Sequence, residues 1–573
     1  MPAAGDRASS PATGLAGFFG HPAITFTRKH WAVLLVLVLM AFGFWLRVYH
    51  IDYPSIGYHN WKEARYLGPA RNFVREGFFA YGFFVPAYDF PKLDADPSGA
   101  HSDLFPYSAI FAALMFMAFG FELWAARLPV LIFSVASIPL VYLIVKRLFR
   151  REDLALTATF LTAINPLFVF FTHNVDQMPF GLTFILLGLY FYVKWVEEDK
   201  GHDFVLAMLF TAAGIDAKYT YIIVGIPMLF ILPWARLKEW RRRWNTYASG
   251  ALAFSIFPIW LIYANFIIAE RYKGGAQAKL STIDPFSNLL NSNFWQTMKA
   301  YAADNYTLIG ILFAVLGLVA LIIFFKKQNL GNRFLLGYAI SVPVFFLLFS
   351  QNLSGHAYHQ YPIALAIVLL VAYLFVAVGT NVGNLVSGLS QPLYGRLAKL
   401  AAIIVLIVII YSPSMEAKDR MFDTQFPGLD IAGEYIKAHK HPGERVMHSS
   451  HQAYGLLWHG DIKGTRGIPP SLSNITMVEE KLDARWLFIY NWDFGIFQDL
   501  ERWPYLSQHY SLRQVAFVQN QGQTSPVYLL LYRDDKGFDI NTLNEYLKDR
   551  PVQSREYEYT HGKMQLYYVN VDG

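Results

Sequence analysis

The chain has 573 residues, 54% of them hydrophobic and 17% aromatic, with only 16% charged, a balance that excludes an ordinary soluble protein and points to a membrane protein. It has no cysteine, which excludes disulfides, thiolate metal sites and Cys nucleophiles but leaves the redox compartment open. The formal net charge of +6 comes from short basic clusters between apolar runs, which read as topology signals and not as a nucleic-acid surface.

In chain order, residues 1–30 form a cytoplasmic tail, the first twenty rich in Ala, Gly, Ser and Pro and expected to be disordered. Apolar runs of spanning or near-spanning length follow at about 31–48, 128–147, 152–171, 178–196, 203–216, 219–235, 247–268, 306–325, 334–350, 361–380 and 398–412. The first keeps its Trp and Phe to the end and lacks a small-x-small cleavage site, so it is expected to stay as a helix. Arg28-Lys29, Lys146-Arg147 with Arg150-Arg151, the block Arg236–Arg243, Lys326-Lys327 and Arg396 with Lys399 all fall on one side, the cytoplasmic one. This alternation requires that the apolar stretch 105–121 not cross but lie along or dip into the outer face, within a large first external loop, 49–127.

An odd number of crossings from a cytoplasmic N-terminus leaves residues 413–573 outside as a soluble α/β domain. There "GLDIAGEYIKAHKH" reads as an amphipathic helix, and "GERVMHSS", "ARWLFIYNW", "LRQVAFVQN", "PVYLLLYR" and "KMQLYYVNV" read as strands. The predicted fold class is a polytopic α-helical membrane protein of about eleven transmembrane helices, residues 31–412, with a C-terminal external α/β domain.

The unusual ionisable clusters all face outward: "YHNWKEARY" and "DADPSGAHSD" in the first loop, "FTHNVDQMPF" after the third span, then "GIDAKYTY", "AERYKGGAQAKLSTIDPF" and "SQNLSGHAYHQYP". An acidic motif just after the first helix, "NPLFVFFTHNVD" closing the third, an Asp/Lys corner and a "YHQYP" entry to a late helix precede the external domain. With "FGFELWAARLPVLIF", this arrangement resembles the GT-C superfamily of integral-membrane glycosyltransferases, and within it the protein O-mannosyltransferase and lipid A aminoarabinose transferase group (glycosyltransferase family 39-like). The resemblance implies an inverting transfer of a sugar from a polyprenyl-phosphate donor lipid, such as an undecaprenyl-phosphate sugar, to an acceptor lipid, glycan or protein, on the external face of a bacterial or archaeal inner membrane. Such chemistry needs a membrane scaffold, cations for the phosphate and a carboxylate near the anomeric carbon.

On this reading Glu63 is the general base, against a solvated loop carboxylate, and Asp176 is a second catalytic carboxylate as well as a helix N-cap. Lys218, Arg65 and, more weakly, Arg271 would bind the carrier phosphate, against interfacial snorkelling. His356, Tyr358 and His359 at a helix mouth join the substrate site, as does Asp103, shortly before Pro106. In the family an acid at the position of Lys62 often helps to hold a divalent metal; a protonated lysine repels one and is expected to supply the positive charge itself, against a one-residue offset in which Lys62 points to solvent and a divalent metal is held as in the family. His448, His451 and His459 have a zinc-like look but no demonstrated fourth ligand, so no metal site is assigned. Two other classes stay in view: a polysaccharide polymerase or ligase, separated by whether one sugar or a whole glycan moves, and a transporter, which would carry mid-span charges and repeated broken helices.

Overall fold

The computed structural model describes residues 22–91, 93, 96–272, 286–450, 452–520 and 523–571. The expected disordered tail, most of the loop after Arg271 and His451 lie outside the described residues.

All eleven apolar runs are helical, but they are not eleven straight spans. Among the described residues seven helices are long and apolar enough to cross a membrane alone: α1 (Pro22–Val48), α4 (Leu123–Phe149), α7 (Met178–Glu198), α10 (Trp244–Arg271), α13 (Leu330–Leu353), α14 (Tyr361–Leu389) and α15 (Pro392–Asp423). An eighth span forms only if α11 (Ser292–Tyr306) and α12 (Leu308–Ile323), bent by 95° at Thr307, are taken together. The run 152–171 is divided into α5 (Glu152–Ile164) and α6 (Pro166–Phe170). Asn165 there accepts a hydrogen bond from the Phe168 N–H (3.2 Å), and Pro166 occupies the first turn, where its missing N–H is harmless. α8 (Gly201–Ala217) ends at extended Lys218, beyond which a 3₁₀ turn (Tyr219–Val224) leads into α9 (Gly225–Ile231).

Within the first loop lie α2 (Asn60–Glu76) and α3 (Tyr107–Phe119). Thirteen residues of α3 reach only about 20 Å, short of the ~30 Å hydrocarbon core. Its Ala109, Ala113 and Phe116 pack on Leu67 and Phe73 of α2 and on Val130 of α4, so the stretch 105–121 is an accessory element within the loop. Leu37, Val38 and Trp45 of α1, Ile259 and Phe266 of α10, Ile322 of α12 and Val408 of α15 remain exposed, as a lipid-facing surface requires. Small residues allow close approach inside the bundle: a Cβ on Gly317 would stand 2.1 Å from the Leu370 carbonyl oxygen.

The last helix runs eleven residues past its expected end, to Asp423, because Met421 and Phe422 bury against the membrane bundle. The soluble domain therefore begins near residue 424 rather than 413. Its mixed sheet has the order β2-β1-β3-β5-β4-β7-β6, built from β1 (Arg445–His448), β2 (Lys463–Gly464), β3 (Ala484–Tyr490), β4 (Tyr510–Asn520), β5 (Gln523–Arg533), β6 (Gln553–Tyr559) and β7 (Gly562–Asn570). β1 is parallel to β2 and β3, and the remaining pairs are antiparallel. The five expected strands and the helix, α16 (Leu429–His439), are present. β2 is two residues long, and β6 buries only Tyr557, so neither has an apolar period to read. Alternation places Val446, Trp486, Phe488 and Leu530 against α16, while Met447, Leu487, Ile489 and Leu531 face helices Leu472–Leu482 and Arg502–His509.

This domain is bolted to the first loop. The Phe426 N–H donates to Ile56 O (2.7 Å), Gly464 N–H to Asp89 O (2.7 Å), Gly455 N–H to the Asn60 side chain (3.0 Å), and Ser55 N–H to His459 Nε2 (3.1 Å). Buried Arg71 bridges Asp89 (2.8 Å) and Asp461 (2.7 Å). Gly68 makes room for Asp89, whose Oδ2 would lie 2.2 Å from a Cβ there.

Candidate functional site

The site is built on the start of α2. His59, with φ 61° and ψ 28°, turns the chain in the left-handed region, and its carbonyl accepts the N–H groups of Lys62 (2.8 Å) and Glu63 (3.3 Å) to open the helix. Both charged residues that follow are buried, Lys62 at 4% exposure and Glu63 at 1%.

Glu63 accepts four hydrogen bonds. Arg127 Nε donates to Oε1 and Arg127 Nη2 to Oε2, both at 2.8 Å; Ser55 Oγ reaches Oε2 at 2.6 Å and Val175 N–H reaches Oε1 at 3.2 Å. Arg127 also donates to the carbonyls of Ile51 (3.0 Å) and Tyr53 (2.6 Å). This corrects the expectation of Glu63 as general base, since a carboxylate engaged by four donors has no lone pair left for a substrate hydroxyl. It is instead the fastener that ties the first loop to α4 and to the segment carrying Asp176.

Lys62 projects into an aromatic and cationic cluster. Its Nζ lies 4.6 Å from the Tyr358 ring centroid and 5.4 Å from that of Tyr66, and Lys218 Nζ stands 6.0 Å from Tyr358. His356 stacks on Tyr358 at 5.3 Å, His359 lies 4.5 Å from it, and His59 lies 5.2 Å from His356 and 5.4 Å from Tyr358. Burial, then the nearby His356 and Lys62, hold the His59 imidazole well below its ordinary pKa, so it is neutral. Asp176 is fully buried: its Oδ1 accepts the Met178 N–H (3.1 Å), and Oδ2 has no partner among the described residues. Burial first, then the Asp176 charge, hold the Tyr66 phenol well above its ordinary range, so the carboxylate belongs to the same cluster.

The structure thus brings together Lys62, Asp176, Lys218, His356, Tyr358 and His359. Arg65 and Asp103 adjoin as an ion pair (3.1 Å), the Arg65 guanidinium lying 5.6 Å from the Tyr88 ring. The Asp103 carbonyl accepts from Tyr219 (2.6 Å) and Trp260 (3.3 Å), which fastens the first loop to the 3₁₀ turn and to α10. Arg271 is exposed and lies over its neighbour Tyr272; among the described residues it makes no contact with the cluster, which corrects its expected place there.

Two residues carried no role in the sequence reading. Arg127 sits in "FELWAARLPVLIF", where a lone arginine opening an apolar helix was the available signal. His59 was visible only as one of several ionisable groups. Among the described residues no three His, Cys, Asp or Glu side chains converge as metal ligands, and an ammonium, Lys62, stands where the resemblance would have a carboxylate. His448 donates to the Ser449 carbonyl (2.8 Å) beside the Tyr454 ring, whereas His459 accepts from Ser55; they serve separate structural ends.

Residues 101–263 match the family model described as dolichyl-phosphate-mannose-protein mannosyltransferase. A candidate mannosyltransferase of Bacillus subtilis (strain 168), YkcB, is 25% identical over 258 residues, 44% of this chain and only 33% of that protein; the match spans a third of the curated relative's length. Among solved structures, the archaeal oligosaccharyltransferase AglB from Archaeoglobus fulgidus, in complex with an inhibitory peptide and a dolichol-phosphate, aligns over 90% of this chain and 75% of its own at TM-score 0.56 and 14% identity. ArnT from Cupriavidus metallidurans aligns over 88% of this chain and 98% of its own, at TM-score 0.55 and 13% identity in the apo state and 0.51 and 12% when bound to undecaprenyl phosphate. The chain has the GT-C fold of these multi-pass membrane proteins, as the sequence resemblance implied.

Proposed function

We propose that this protein transfers a sugar from a polyprenyl-phosphate donor to an acceptor hydroxyl on a lipid, glycan or protein, on the external side of a bacterial or archaeal cell membrane. The observation that carries the reading is the convergence of the Lys62 and Lys218 ammonium groups on the Tyr358 ring, with buried Asp176 and its oxygen unpartnered among the described residues. Two ammonium groups presented to one ring suit an anionic ligand. A carrier phosphate meets that requirement at the interface between bilayer and external domain.

In the reaction the bond from the anomeric carbon to the phosphate oxygen breaks, and its electron pair stays on that oxygen. The acceptor oxygen forms the new bond from the opposite side, with inversion, and its proton passes to Asp176. The phosphate goes from one negative charge as a diester toward two as a monoester, and Lys62 and Lys218 stabilise that growing charge. Glu63 positions the site through Arg127. The likeness to ArnT and AglB in fold, and the family-model match over 101–263, support the same reading.

Undecaprenyl phosphate added to the detergent-purified protein should raise its melting temperature, and the rise should vanish in Lys62→Ala/Lys218→Ala. Cells lacking the protein should accumulate one lipid-linked sugar by mass spectrometry. Absence of both effects refutes the assignment.

A further inference from the structure

We infer that His59 is a neutral third donor of the phosphate cradle, whose Nε2–H binds a carrier-phosphate oxygen as the sugar leaves. This rests on the function proposed above and adds a residue to it. The tautomer follows from a single contact. Trp61 Nε1–H points at His59 Nδ1 at 3.1 Å, and an indole nitrogen only donates, so Nδ1 must present its lone pair. In a neutral imidazole the proton then resides on Nε2. An imidazolium would set two N–H groups against each other.

That Nε2 has no hydrogen-bond partner among the described residues, although His59 is 2% exposed. A buried donor without an acceptor is a rare arrangement unless a ligand supplies one. The backbone tells the same story. His59 holds a left-handed conformation, φ 61°, which a residue with a Cβ avoids unless its surroundings impose it. The turn places the imidazole among His356, Tyr358 and Phe171, at 5.2, 5.4 and 5.7 Å, three residues before Lys62.

The charge count favours a neutral donor. With Lys62 and Lys218 the cradle carries two positive charges, which match the released phosphomonoester at close to two negative charges. A third cation would hold the product, whereas an N–H dipole adds direction and strengthens as charge develops on the oxygen it faces.

The test uses the full-length protein in detergent, with undecaprenyl phosphate as the binding probe and an undecaprenyl-phosphate sugar as the donor for turnover. His59→Asn tolerates the left-handed turn but cannot place a donor at the Nε2 position, whereas the amide of His59→Gln can. The expected result is a loss of at least tenfold in kcat for the Asn variant with little change in KM for donor lipid, and recovery of most of that loss in the Gln variant. Independently, ¹⁵N NMR of the histidine-labelled wild type should show His59 as the Nε2–H tautomer at neutral pH, with its Nε2 resonance moving on addition of undecaprenyl phosphate. This measurement carries the test if a variant fails to fold. Wild-type kcat in the Asn variant, an Nδ1–H or doubly protonated ring, or an Nε2 resonance unmoved by a lipid that demonstrably binds would each overturn the role of His59 alone. A wild-type protein that neither binds undecaprenyl phosphate nor transfers sugar overturns the functional reading with it.

Discussion

Glu63→Gln separates a fastener from a base. The wild-type carboxylate receives Arg127 on both oxygens, with Ser55 and Val175 as further donors. An amide in either orientation turns its NH₂ toward at least one guanidinium N–H, leaving an arginine at 5% side-chain exposure without its counter-ion. Stranding one partner of a buried pair costs about 3–5 kcal/mol. The carbonyls of Ile51 and Tyr53 still accept from Arg127, so the lower figure, about 3 kcal/mol, is expected. At about 2 °C per kcal/mol for a large domain, the melting temperature should fall by about 6 °C. Intrinsic-fluorescence melting in detergent measures this, and a double-mutant cycle with Arg127→Met should return a coupling of about 1.5–3 kcal/mol. An unshifted melting temperature combined with turnover reduced a hundredfold would refute the reasoning and return Glu63 to the role of base.

Asp176→Asn keeps the acceptor for the Met178 N–H, so melting should hold within about 1 °C while initial transfer rates drop by about a hundredfold or more; wild-type rates would remove Asp176 from the chemistry. Transfer should persist in excess chelator and collapse in Lys62→Ala, whereas activity lost to chelator and restored by a divalent ion would contradict charge supplied by lysine. Enclosure holds the His459 imidazole below its ordinary pKa, so the folded state binds fewer protons there than the unfolded chain. The stability it confers is intact above about pH 6.5 and declines as pH falls below that value. The opening free energy that hydrogen exchange reports across 453–460, with each rate divided by its intrinsic value at that pH, should therefore fall from pH 7.5 to 5, and His459→Gln, which can still accept from Ser55, should flatten that dependence. An unchanged pH profile in the variant would assign the effect elsewhere.

Hydropathy was enough to recover the helical runs, the C-terminal α/β domain and its principal strands, because burial in lipid or in a sheet face imposes periods that any chain must display locally. The short motifs also named residues that the fold gathers, since Lys62, Asp176, Lys218 and Tyr358 converge. What remained hidden was pairwise. Glu63 meets Arg127 across 64 positions, Arg65 meets Asp103 across 38, and Asp461 reaches back to Arg71; a carboxylate's role depends on which donors surround it, and nothing local records that. Helix breaks at Asn165 and Lys218 and the continuation of α15 to Asp423 were likewise set by what packs against them. The sequence by itself determined which runs are apolar and helical and which strand faces are buried. Only the tertiary structure decided which of two buried carboxylates has both oxygens engaged by donors and which keeps one without a partner among the described residues, because hydrogen-bond saturation is a property of the assembled neighbours and not of the residue.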